Sequence, residues 1–168
     1  MRNLLEEFVP HVYRFALRLT NDAHMAEDLT QEVFLRAWRR RWLLRKPQSM
    51  RVWLFRITVN LWRDQLRRGK LRVARLEPLP EDYAAGGQSP EKAAADQDDL
   101  RQALAALDEL PPRQRDVLYL AACEELRAAD IADVLDMRID AVKASLSIAR
   151  RKLRERLRHL FSDLFLVL

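Results

Sequence analysis

The chain has 168 residues, 49% of them apolar and 33% charged, with three Gly and a net charge of +5. Those figures fit one domain or two small ones of a soluble, mostly helical protein. Cys123 is the only cysteine, which excludes an internal disulfide and a CxxC metal or redox pair; as a small apolar side chain it is expected to pack on a helix. His11, His24 and His159 lack partners at ligand spacing, so neither a metal site nor any other cofactor is expected. Arg2 is followed at once by Glu6 and Glu7, unlike a signal peptide, and no apolar run approaches the ~20 residues of a membrane span. A cytoplasmic protein is expected.

The charge is unevenly distributed. Lys and Arg outnumber Asp and Glu by 15 to 7 over residues 1–70, fall behind by 4 to 9 over 71–110, and lead by 11 to 9 over 111–168. Between Arg36 and Lys70 twelve positive residues face only Asp64, a footprint that attracts a polyanion and loses affinity with salt.

In chain order, Leu4, Phe8, Val12, Phe15, Ala16 and Leu19 recur at helical spacing and predict a helix from about Asn3 to Thr20, kinked or restarted at Pro10. Asn21 or Asp22 caps a second helix that runs to about Arg40. That helix has two apolar edges. Ala26, Leu29, Val33 and Ala37 form one; Phe34 and Trp38 lie nearly opposite, beside Glu27 and Gln31. The second edge is either a docking surface for another protein or a second buried side, and the pattern leaves both open. Pro47 breaks the chain inside the basic stretch Arg39 to Met50, and Ser49 is a cap for the next helix. This loop has the charge to hold an extruded base, or is a plain surface connection.

Arg51 to Lys70 predicts a third helix. Arg56, Asn60, Arg63 and Arg67 succeed one another at steps of four, three and four, on one narrow face with Trp53 at its edge. Leu54, Phe55, Ile57, Thr58, Leu61, Trp62 and Leu66 supply a broad stripe that requires a core. Guanidinium planes pair with phosphates and an indole stacks on bases, so the ridge suits an unstacked strand; a solvated basic face has the same composition.

Pro78, Pro80, Gly86, Gly87 and Pro90, interspersed with Glu77, Glu81 and Asp82, mark an acidic flexible linker. Three segments result: a domain over 1–70, the linker over 71–88 and a second domain over 89–168. Ser89-Pro90-Glu91 starts a helix that carries Leu100, Ala103, Leu104 and Leu107 to about Leu110. Pro111-Pro112 restarts the chain into Arg113–Cys123, with Val117, Leu118 and Leu120 inward. Ile131, Ala132, Leu135, Ile139, Val142 and Leu146 then have the spacing of a helix-turn-helix over about Arg127–Leu135 and Ile139–Phe161, with small Ala132 where the second helix crosses. Arg138 stands at the second helix's entrance, and Lys143, Arg150, Arg151, Lys152 and Arg154 can meet phosphates; a generic helical hairpin is the alternative. The apolar tail HLFSDLFLVL covers the bundle, meets a partner or self-associates, and the pattern does not choose.

The motifs AEDLTQEVFLRAW (Ala26 to Trp38), WLFRITVNLWRDQLRR (Trp53 to Arg68), LPPRQRDVLYL (Leu110 to Leu120) and DIADVL followed by AVKASLSIARRKLRE (Asp130 to Glu155) appear in this order. The chain thereby resembles the bacterial extracytoplasmic-function (ECF) sigma factors, small two-domain members of the sigma-70 group. The resemblance implies an all-α fold of two helical domains and a docking of Asp28, Gln31, Glu32, Leu35 and Trp38 on the clamp of the RNA polymerase largest subunit. It further implies that Trp53, Arg56, Asn60, Arg63 and Arg67 capture the non-template strand near minus ten, where strand binding offsets unstacking. The second domain would read the minus-thirty-five element through Arg138, Lys143, Ser145, Arg150 and Arg151 and touch the polymerase flap. An anti-sigma partner that wedges between the domains is also implied.

The chain departs from that family pattern where Asp136 replaces a turn glycine, where Asp140-Ala141 replaces Gly-Thr, and where Ser145 and Ile148 stand at positions commonly held by Arg. Weak or altered upstream recognition is therefore expected, with specificity resting more on the first domain. The function so indicated is transcription initiation without catalytic activity. A stand-alone helix-turn-helix regulator is the alternative, but leaves the basic third helix and the outward edge without a purpose. No carboxylate cluster, Gly-rich loop or nucleophile–base pair supports an enzyme such as a nuclease.

Overall fold

A computed structural model of the chain describes residues 6–40, 50–68, 102 and 105–158. The predicted linker, the basic loop over 41–49 and the apolar tail lie outside the described residues. All regular structure among the described residues is helical, in agreement with the all-α expectation: α1 (Val9–Thr20), α2 (Ala23–Arg39), α3 (Met50–Arg67), α4 (Pro112–Ala122), α5 (Ala128–Leu135) and α6 (Ile139–Arg156). None of these helices is long and apolar enough to cross a membrane. Contacts divide the chain into two units, Met1–Glu77 with Leu126–Ile139, and Pro78–Glu125 with Asp140–Leu168.

In the first unit α1, α2 and α3 pack on one another, and α3 also packs on α5. Pro10 stands at the first turn of α1, where its missing N–H costs nothing, so it restarts the helix rather than kinking it. Asn21 ends α1 in the left-handed region, its N–H donating to the Leu17 carbonyl at 2.7 Å. Asp22 caps α2, where its carboxylate accepts from the Met25 N–H at 2.9 Å. The core gathers Val12 and Ala16 from α1, Ala26, Leu29, Val33 and Ala37 from α2, and Met50, Leu54 and Leu61 from α3. Phe15 and Phe55 meet edge to face at a centroid distance of 5.3 Å, a geometry set by the ring quadrupole. Thr20, Thr30 and Thr58 are also buried, and each hydroxyl donates to the carbonyl four residues back, at 2.6–3.0 Å. A threonine can thus sit in an apolar stripe without leaving a buried polar atom unmade.

In the second unit Pro111 and Pro112 open α4. Arg115 reaches back across this turn and donates to the carbonyls of Asp108 at 2.8 Å and Leu110 at 3.0 Å, satisfying acceptors at the end of the preceding helical segment. Leu110, Leu118 and Ala149 are buried together, flanked by Leu107, Leu146 and Leu153. Arg156 at the end of α6 pairs with Glu109 at 2.5 Å, and this hydrogen bond raises the guanidinium's pKa above its ordinary value. Glu124 is buried and accepts from the Tyr119 hydroxyl at 3.3 Å.

Three expectations are corrected. Phe34 packs partly buried against the core, because Thr30 four residues before it and Ala37 three after it are both inward, so it borders the inner stripe. Ile139 is exposed: it is the first residue of α6, and Val142 one turn on takes the inward place, while Val134 of α5, absent from the predicted set, is buried. Cys123 is exposed at the end of α4, where the chain leaves the helix and Glu124 turns inward.

The four tryptophans, at 38, 42, 53 and 62, make indole fluorescence a reporter on the first unit. Phe55→Ala should lower the urea-unfolding free energy read by that signal by about 3–5 kcal/mol, whereas Leu35→Ala should stay within about 0.5 kcal/mol. Asp136 ends α5 with φ 53°, a left-handed conformation that costs any residue with a Cβ. Asp136→Gly should therefore stabilise the chain by about 0.5–1 kcal/mol in thermal melts.

Candidate nucleic-acid interface and protein-docking face

The face of α2 opposite the core is fixed by what the core removes. With Ala26, Leu29, Thr30, Val33 and Ala37 inward, Asp28, Gln31, Leu35 and Trp38 lie exposed and Glu32 half-exposed at steps of three, one, three and three. Leu35 is 52% and Trp38 47% exposed, two large apolar side chains on one stripe with acids and an amide. Glu32 accepts from the Arg36 Nε–H at 2.7 Å, an i,i+4 pair that holds the carboxylate in place on this stripe. The outward edge is thus Leu35 and Trp38, not Phe34 and Trp38.

On α3, Leu54, Phe55, Thr58, Val59 and Leu61 are buried, and Trp53, Ile57 and Trp62 lie half-buried against the core. The opposite side presents Arg56, Asn60 and Arg67, all exposed, with the half-buried Trp53 indole three residues before Arg56. Arg67 pairs with Asp64 one turn back. That hydrogen bond, aided by the charges of Arg67, Arg68 and Arg36 against a smaller opposing effect of burial, holds the Asp64 carboxyl below the ordinary aspartate range. The single acid of the basic stretch therefore sits amid three arginines. Arg67 is thus paired in the free chain, in an exposed bond of the kind that contributes little.

Arg63 differs from its neighbours on the ridge. It is half-buried and donates through Nη2 to the backbone carbonyl of Leu135 at 2.7 Å. Leu135 is the last residue of α5, whose terminal carbonyls lack intrahelical donors and carry the negative end of the helix dipole. A guanidinium is a suitable cap there, in the class of charge-assisted bonds worth about 1.5–3 kcal/mol. At the other end of α5 Arg127 pairs with Asp130 at 3.0 Å, which raises the arginine's pKa further. Sequence reading placed Arg63 on the ridge and missed its acceptor, since a main-chain carbonyl 72 residues away leaves no trace in side-chain pattern.

Along α6, Val142 and Ala149 are buried and Ser145, Leu146, Ile148 and Leu153 half-buried, which turns Lys143, Arg150, Arg151, Lys152 and Arg154 outward. Arg138 is exposed just before the helix. Ser145 thus differs from Arg138, Lys143, Arg150 and Arg151, the other four predicted contacts, in being partly covered. Asp140 lies in the first turn of α6, where a carboxylate complements the helix dipole, a local reason for an acid at this entrance.

The class of protein is established by comparison with known families. The family model for Sigma-70 region 2 matches residues 4–72, which hold α1 to α3, and that for Sigma-70, region 4 matches residues 100–153, which hold α4, α5 and most of α6. The ECF RNA polymerase sigma factor SigE of Mycolicibacterium smegmatis is 37% identical over 156 residues, covering 90% of this chain and 59% of the relative. SigL of Mycobacterium tuberculosis, strain Erdman, is 32% identical over 161 residues, covering 95% and 90%. The chain belongs to the ECF sigma factors of the sigma-70 family. It spans 37–59% of the length of several relatives it matches, SigE, RfaY and SigG among them, and most of SigL. Among solved structures, RpoE in complex with the anti-sigma factor NepR from Bartonella quintana has a TM-score of 0.71 at 24% identity, covering 94% of this chain and 98% of that one. CnrH in complex with the cytosolic domain of CnrY has a TM-score of 0.61 at 23% identity, covering 96% and 90%. Both likenesses bear on the fold alone.

Because the folded Asp64 pKa is lowered, its pairing favours the folded state above the unfolded carboxyl's pKa and is lost as pH falls through the lowered value. Carboxyl-detected NMR titration should place Asp64 below an unfolded-peptide aspartate, and Arg67→Gln should return it toward that reference. An unmoved midpoint would contradict the pairing.

Proposed function

We propose that the chain is a transcription initiation factor without catalytic activity of its own, which works in the cytoplasm and directs core RNA polymerase to promoters. The observation that carries this reading is the pair of faces on one core: α2 presents an apolar and acidic stripe, while α3, packed against it, presents an arginine and asparagine ridge. In this reading Asp28, Gln31, Glu32, Leu35 and Trp38 dock on the polymerase clamp, with Trp38 as the aromatic anchor. Arg56, Asn60, Arg63 and Arg67 then hold the phosphates and bases of the non-template strand near minus ten, and Trp53 offers a stacking face. Three exposed or partly exposed guanidiniums make this binding salt-dependent.

The stretch of chain over 89–168, which holds α4, α5 and α6, reads the upstream element in this proposal, with Arg138, Lys143, Ser145, Arg150 and Arg151 as contacts. Asp140 and the half-covered Ser145 support a weak upstream reading, so discrimination falls mainly to α3. The acidic stretch over 71–88 separates the two readers along the sequence. The relatives of known structure were solved with an anti-sigma factor or another cytosolic protein domain, which supports a protein inhibitor as a further partner of this chain.

Run-off transcription with purified core polymerase tests the reading. The chain should start RNA at defined promoters, whereas a stand-alone DNA-binding regulator would give no RNA with core alone. Trp38→Ala should weaken core binding about thirtyfold, the effect of losing a ~2 kcal/mol aromatic anchor, with the melting temperature unchanged. Unchanged core affinity would remove α2 as the docking face.

A further inference from the structure

Between Arg36 and Lys70 the chain has a single acid, and it stands where negative charge favours neither the helix nor an anionic ligand. Asp64 lies in the last turn of α3, at the end where carbonyls without intrahelical donors already concentrate negative potential, so its carboxylate opposes the helix dipole. It accepts from Nη2 of Arg67, and the charges of Arg67, Arg68 and Arg36 all act on it. Arg67 closes the ridge, its side chain 78% exposed against 33% for Asp64. An exposed pair three residues apart adds little to a helix, so support of α3 does not account for the acid. Resting on the assignment of the ridge to a separated DNA strand, we propose that Asp64 is an internal stand-in for a phosphate, a brake that occupies Arg67 and weakens the hold of the ridge on any single strand.

A carboxylate and a phosphate take the same edge of a guanidinium through the same charge-assisted hydrogen bonds. With Asp64 on Nη2, a strand phosphate meets Arg67 beside a carboxylate that repels it, or must first displace that carboxylate. Either way one cation's attraction is cancelled. Each phosphate neutralised on a single strand adds about 0.7 to the salt exponent, so a cancelled contact is worth about eightfold in affinity at 50 mM salt and about threefold at 200 mM. Phosphate contacts carry no base information, so the brake acts alike on every sequence. A ridge that held every strand at full strength would be slow to leave stray DNA and slow to release a promoter already opened. One acid at its end lessens that hold without removing a donor from the ridge.

Fluorescence anisotropy of a labelled oligodeoxythymidylate of about 15 nucleotides, titrated with the full-length chain over a series of salt concentrations, tests the brake. Asp64→Asn should tighten binding about eightfold at 50 mM salt and steepen the salt dependence by about 0.7, whereas Asp64→Glu, which keeps the charge, should bind as the unmodified chain does. Arg67→Gln should cost little in the unmodified chain and the whole of the gain in the Asp64→Asn chain, a non-additivity that helix support alone would not produce. A mixed-sequence strand of the same length should gain as much as the oligothymidylate. Glu27→Gln, which removes an exposed acid from α2, should change neither affinity nor slope. An equal gain from Glu27→Gln, which would make the effect one of net charge, overturns the brake, as does a gain that survives Arg67→Gln or is confined to one strand sequence. Equal binding by the Asp64→Asn and unmodified chains overturns the brake alone, whereas an oligonucleotide that binds neither overturns the strand assignment and the brake with it.

Discussion

The buried face of α3 is the constraint on which the other features depend. Leu54, Phe55, Thr58, Val59 and Leu61 leave the helix no rotational freedom, because turning it by one residue would expose Phe55 or bury Arg56. The direction of the basic ridge is therefore decided by apolar packing. Electrostatics only determines what the ridge attracts: twelve positive residues against one acid between Arg36 and Lys70 favour polyanions.

The same core fixes α2. Val12 and Ala16 from α1, the buried stripe of α2, and Met50, Leu54 and Leu61 from α3 form one cluster, so the face with Leu35 and Trp38 and the face with Arg56 and Asn60 are held by one set of contacts. Close-packed interiors transmit displacement poorly through slack and well through contact. Under the proposed function, placing a DNA strand relative to a polymerase surface gains from this arrangement, since neither face rests on a loop.

Much of this was legible in sequence because it depends on local period. Most of the buried residues of α2 and α3, a cap at Asn21 or Asp22 and the proline starts of α1 and α4 follow from helical spacing and from backbone donors that prolines lack, while buried Thr30, Met50 and Val59 lay outside the predicted stripes. Sequence reading failed where a residue's place depends on its neighbours in space. Phe34 counted as outward on a helical wheel, yet a large ring at the margin of a buried stripe leans over it. Ile139 looked like core by spacing, but stands ahead of the first inward turn of its helix. For the ridge, period put Arg63 level with Arg56 and Arg67, while its acceptor is a main-chain oxygen brought in by α5 from far along the chain. The roles proposed for the ridge residues in promoter opening rest on family likeness, not on spacing, which is equally consistent with a solvated face.

The most direct measurement is permanganate footprinting of unpaired thymines at the minus-ten element, with core polymerase and either the unmodified chain or an Arg56→Glu/Arg67→Glu variant shown to be folded and polymerase-bound. Thymine reactivity should appear with the unmodified chain and be lost with the variant, as two repulsive charges meet the strand's phosphates. Undiminished reactivity with the variant would contradict the assignment of the α3 ridge to the separated strand.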